Sequence, residues 1–263
     1  MAEAAVIGVA ASLLAGAMTG VGGWLVGLLG APDERRHNLL VGFAAGVMIA
    51  AAFFSLIMPA IAQAQLGGAS LLVAVAGVAL AVWLGALATA RLGRGIEALA
   101  VRGLLPARLA IWPSNIETQR IALFVMAMTL HNLPEGTAVG LSFMSGDPQI
   151  GWATAIGIGI QNIPEGMAVA ALLATLGWSH ARCALAALAT GLVEPLGAAI
   201  GVAVVQASTA LLPWVLGLSA GAMLFVAIAE MIPHARRRIE HGSATPALMA
   251  GLVVMMFLDL SLG

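Results

Sequence analysis

Charge is scarce in this chain. Acidic and basic residues make up 9% of its 263 residues, whereas a soluble domain is usually about a quarter charged. So little charge cannot cover a surface that faces water, which excludes a soluble globular fold. Lysine is absent, and all 11 basic residues are arginine. With a net charge of −1 and no basic patch, nothing points to nucleic acid as a partner. Cys183 is the single cysteine, so neither an intrachain disulfide nor a cysteine-rich metal site is expected. The start, Met1-Ala2-Glu3, lacks the basic n-region of a signal peptide. The apolar stretch that follows is read as a retained first helix.

What is abundant fits a bilayer. Hydrophobic residues make up 61% of the chain and glycines number 32, as expected where membrane helices pack backbone to backbone. Apolar runs recur at about 4–30, 38–63, 68–92, 119–144, 149–176, 181–206, 211–233 and 244–262, each near or above the ~20 residues that span a bilayer. The fold expected is all-α and integral to the membrane, a single polytopic domain over 1–263 with eight transmembrane helices. The longest connection, 93–118, carries Pro106 and Pro113 and no histidine, and reads as a cytoplasmic loop. Arginine sets the orientation. Arg35 and Arg36, Arg91 to Arg120, Arg182, and Arg236 to Arg238 all flank the connections after the first, third, fifth and seventh runs. The alternate connections have no basic residue. By the positive-inside rule the arginine side is cytoplasmic and both termini are extracytoplasmic.

Three carboxylates break the pattern. Glu135, Glu165 and Glu194 each fall near the middle of an apolar run, where a charge costs several kcal/mol. No arginine lies at that depth, so a bound cation is the natural counter-charge. His131-Asn132-Leu133-Pro134-Glu135-Gly136 and Gln161-Asn162-Ile163-Pro164-Glu165-Gly166 share Asn-x-Pro-Glu-Gly, thirty residues apart. Successive spans run antiparallel, so this repeat is inverted, and a pseudo-two-fold axis would bring the two motifs together at the midplane, where transporters place substrate. His131 and Glu135, like Gln161 and Glu165, are spaced i and i+4 and share a helix face. Each proline frees a carbonyl one turn back, at Leu130 and Ile160. An imidazole, two carboxylates and an amide oxygen suit zinc or a neighbouring first-row ion better than magnesium or calcium.

Each residue has a bland reading as well. A single intramembrane histidine is often a packing residue, a proline is usually a kink, and a protonated glutamate can bridge helices. The duplicated motif outweighs these readings taken together. Weaker candidates for a metal pathway are Met48, Glu230, His234 and Asp259. Methionine is usually packing filler, Glu230 suits an interfacial ion pair equally well, and Asp259, close to the C-terminus, reads first as a solvated carboxylate. An intramembrane zinc protease is excluded because its His-Glu-x-x-His motif is missing, and the chain is not expected to be an enzyme. A metal-cation channel could use the same carboxylates and remains the alternative to a carrier.

The two motifs resemble the paired signatures of the ZIP family of zinc transporters, in particular its bacterial GufA-like branch. The resemblance extends to Gly191-Leu192-Val193-Glu194-Pro195-Leu196-Gly197, to Gly42-Phe43-Ala44-Ala45-Gly46, and to Ala220–Met223 through Glu230-Met231-Ile232-Pro233. It implies a 3+2+3 arrangement of eight helices and chiefly zinc moved into the cytoplasm, with cadmium, iron and manganese as further substrates. It also implies a homodimer in a bacterial inner membrane. Carried over residue by residue, it gives a primary metal site at His131, Glu135, Gln161 and Glu165. A second site would use Asn132, Glu135, Asn162, Glu165 and Glu194, with Glu135 and Glu165 bridging. The chain departs from some members, which have aspartate where it has Asn162. The His-Glu-x-Pro-His-Glu variant of many animal members is also absent.

Overall fold

The structure, a computed structural model, describes residues 2–30, 32–101, 116–232 and 244–262. His234 and residues 102–115 lie outside that set, as does the side chain of Glu230. Every described element is helical, as required where no water is present to satisfy backbone groups. The helices are α1 (Ala2–Leu29) and α2 (Glu34–Ala51, continued by a π-helical turn Ala52–Ile57 into Met58–Leu66). Then follow α3 (Leu71–Val101), α4 (Ile116–Ser142) and α5 (Pro148–Thr175). Next is α6, in two halves (His180–Gly191 and Glu194–Ala207), and the chain closes with α7 (Leu212–Val226, then a π-helical turn Ala227–Met231) and α8 (Ala244–Leu262).

Local chemistry explains the boundaries and breaks. The Asp33 carboxylate accepts from Arg36 N at 2.8 Å and starts α2. Asp147 accepts from Gln149 N at 2.9 Å ahead of Pro148 and starts α5. α3 runs on to Val101, past the end expected at 92. Pro59 has no N–H for the Ser55 carbonyl, which explains the π-helical turn there. That carbonyl accepts instead from Ser142 Oγ at 3.4 Å. Seven described helices are long and apolar enough to cross a bilayer. The helix below that mark is α4, because His131, Asn132, Pro134 and Glu135 lower its hydropathy.

Glycines lock four helices into one bundle and pair off the four helices of the other. A Cβ at Gly136 would overlap the backbone of Glu194 on α6, one at Gly166 the backbone of Thr19 on α1, and one at Gly197 the carbonyl of Leu133 on α4. The glycine after each motif glutamate therefore lets a neighbouring backbone come up against the carboxylate-bearing turn. With Gly16 of α1 against the Gly191 backbone of α6, these contacts tie α1, α4, α5 and α6 together. Gly46 and Gly251 join α2 to α8, and Gly85 and Gly221 join α3 to α7, in the same backbone-to-backbone way. Among the described glycines, the one that faces the other bundle is Gly157, and it meets the flexible side chain of Met255. Between the bundles the packing is side chain on side chain, with Met48, Leu56, Leu141, Met223 and Met255 fully buried.

Candidate metal centre

α4 and α5 present their motifs to each other across the first bundle. His131 Nε2 lies 3.8 Å from Glu135 Oε1 on its own helix and 3.5 Å from Glu165 Oε2 on α5. One ligand atom from each of these three residues falls within 4.8 Å of the others. Gln161 Nε2 donates to Glu135 Oε1, which joins the second pair of the repeat to the first. All four side chains are buried. Among the described residues no arginine is paired with Glu135, Glu165 or Glu194.

The centre is rich in buried acceptors without donors. Both oxygens of Glu165, Oε2 of Glu135, Oε1 of Gln161 and both ring nitrogens of His131 have no hydrogen-bond partner. Leaving such groups unsatisfied costs ~1–3 kcal/mol each, and more for a charge. A divalent cation satisfies several at once. Zinc ligands at 2.0–2.1 Å in a tetrahedron lie roughly 3.3 Å apart, so separations of 3.5 and 3.8 Å need only a small contraction around the ion. The nitrogen donor and carboxylates together fit a first-row divalent ion.

The other candidates are placed as follows. Asn162 Nδ2 donates to Glu194 Oε1 at 2.6 Å and to the Ala15 carbonyl at 2.8 Å. Asn132 is buried with neither amide atom partnered. Met48 sits in the apolar cluster between the bundles. Asp259 is not a solvated end group: it is buried, and Ser55 Oγ donates to its Oδ1 at 2.7 Å. From there a buried polar row continues, since Ser142 Oγ reaches the Ser55 carbonyl and Thr154 Oγ1 donates to Ser142 Oγ at 3.1 Å. Sequence reading missed Ser55, Ser142, Thr154 and the Ala15 carbonyl. Small hydroxyls in apolar runs are common as i−4 backbone donors, and nothing local marks these as joining four helices.

A model of the ZIP zinc transporter family matches residues 114–259, which hold all seven motif residues of α4, α5 and α6. The chain is 40% identical over 260 residues to the zinc transporter GufA of Myxococcus xanthus, covering 97% of this chain and 99% of that one. It is 40% identical over 266 residues to the zinc transporter ZIPB of Bordetella bronchiseptica, covering 98% and 81%. The zinc transporter ZupT of Chlorobium phaeovibrioides is 32% identical over 260 residues, with 93% of each chain covered. With full-length similarity and the buried histidine–glutamate cluster on α4 and α5, this chain belongs to the ZIP family of zinc transporters.

Proposed function

We propose that the protein carries zinc into the cytoplasm through the centre on α4, α5 and α6, by alternating access. The observation that carries this reading is the buried, arginine-free set of His131, Glu135 and Glu165, whose ligand atoms already lie within 4.8 Å of one another. Gln161 Oε1 completes the first coordination sphere. The relatives named above are zinc transporters, which supports zinc as the main substrate. Cadmium, iron and manganese are further candidate substrates for the same donors. Met48, Asp259, Glu230 and His234 are the further candidates for the metal's pathway. The protein works as a homodimer in a bacterial inner membrane, with its eight helices arranged 3+2+3.

Alternating access needs two bodies that move past each other. The glycine contacts supply the basis for it. α1, α4, α5 and α6 are locked backbone to backbone around the centre, while α2 with α8 and α3 with α7 are two locked pairs that meet where α2 packs on α7. Methionine-rich side-chain packing between them repacks at little cost. The metal travels with the first bundle and faces each side of the membrane in turn.

Intact cells test the direction. In a Cys183→Ser background, a cysteine at the exposed Gln65 should react with an impermeant thiol reagent added outside, and one at the exposed Arg36 should not. The same cells should accumulate zinc several-fold faster than cells without the protein. The reverse labelling pattern would overturn the inward orientation, and unchanged accumulation would overturn transport.

A further inference from the structure

Glu194 is the third buried carboxylate of the region, and its surroundings differ from those of the other two. Its Oε1 accepts from Asn162 Nδ2, and that nitrogen also donates to the Ala15 carbonyl. Both protons of the amide are therefore committed, and its donor end is held towards Glu194. Glu194 also opens the second half of α6, where the positive end of a helix dipole favours a carboxylate. An N–H bonded to an ionised acceptor is among the stronger hydrogen bonds, and low dielectric strengthens it. Protein groups thus already offset part of the charge of Glu194, through its Oε1, while its Oε2 has no hydrogen-bond partner. Glu165, by contrast, has both oxygens buried without a hydrogen-bond partner.

We propose that the Asn162 amide takes the place of a second cation beside Glu194, so that the centre holds one divalent ion at a time. This rests on the reading of His131, Glu135 and Glu165 as the metal site, and it specifies how that site is filled. One ion there meets two carboxylates, and charge balances. A second ion would share those two and add only Glu194, setting four positive charges against three negative ones. Little water is present at that depth to screen the repulsion. The second ion would also meet the donor end of Asn162, or have to break both of its hydrogen bonds to turn the oxygen round. Aspartate at this position removes both obstacles, because it brings a fourth negative charge and an acceptor where the donor stands.

The test is the amount of zinc bound per chain by purified full-length protein, measured by equilibrium dialysis well past saturation of the first site. The parent should level off at one zinc per chain, and Asn162→Asp should double this to two. Two zinc ions of similar affinity in the parent would overturn the proposal, as would a single zinc in both proteins. The parent plateau decides the matter even where the variant fails to fold. Glu165→Ala separates the two claims. Zinc bound by this variant with the affinity of the parent overturns the site itself, whereas weakened binding there with two ions in the parent overturns the single-ion proposal alone.

Discussion

Alanine in place of Glu165 should cut saturable zinc uptake by about 100-fold or more while leaving the protein in the membrane. Two unit charges 4 Å apart interact by ~4 kcal/mol at an effective dielectric of about 20, and each 1.4 kcal/mol is a factor of ten in affinity. A carboxylate against a divalent ion at shorter range counts for at least that much. Glu165→Gln should fail nearly as badly, since the amide keeps the shape and loses the charge. His131→Ala removes a neutral donor and should cost roughly tenfold, because zinc loses a ligand without losing charge balance. The check is initial uptake rate against zinc concentration, normalised to membrane-inserted protein. A Glu165→Ala variant that transports like the parent would show that the centre has been misassigned.

A covalent tie between the two bundles should stop transport altogether. A Cβ at Gly157 on α5 would lie against the Met255 side chain on α8, 3.7 Å from its Cγ, so cysteines at these two positions would face each other between the bundles. In a Cys183→Ser background, Gly157→Cys with Met255→Cys should oxidise to a crosslink, and uptake should fall to background and return on reduction. A tie within the first bundle should behave differently. A Cβ at Gly27 on α1 would lie 3.3 Å from His180 Cβ on α6, so Gly27→Cys with His180→Cys should crosslink and leave most of the uptake in place. Unimpaired uptake by the crosslinked Gly157–Met255 pair would contradict movement of one bundle past the other.

The part of this architecture legible from sequence is the part governed by local rules. Apolar runs of membrane-spanning length become helices, because lipid leaves the backbone no other way to satisfy itself. The i, i+4 spacing of His131 with Glu135 puts both on one helix face, and the structure sets them 3.8 Å apart. What stayed hidden is long-range pairing. Asn162 bonds to a carbonyl 147 residues away in α1, and a carbonyl has no residue type to signal it. Asp259 looked like a solvated end group, yet it pairs with Ser55, 204 residues earlier. That hydroxyl sits in the π-helical turn Ala52–Ile57, whose cause, Pro59, was visible but whose partner was not. Glycine abundance suggested close packing, but which helices are locked together depends on which backbone each glycine faces. The break in α6 at 192–193 lies just ahead of Pro195, which lacks the N–H that would carry the ladder through.

Zinc flux into liposomes containing only the purified protein tests the central claim most directly. A zinc-sensitive dye inside would report the initial rate as external zinc is raised. The account predicts zinc entry above that of protein-free liposomes, saturating with concentration, and absent from liposomes carrying Glu165→Ala. No flux beyond the protein-free control, or equal flux with the Glu165→Ala protein, would contradict it.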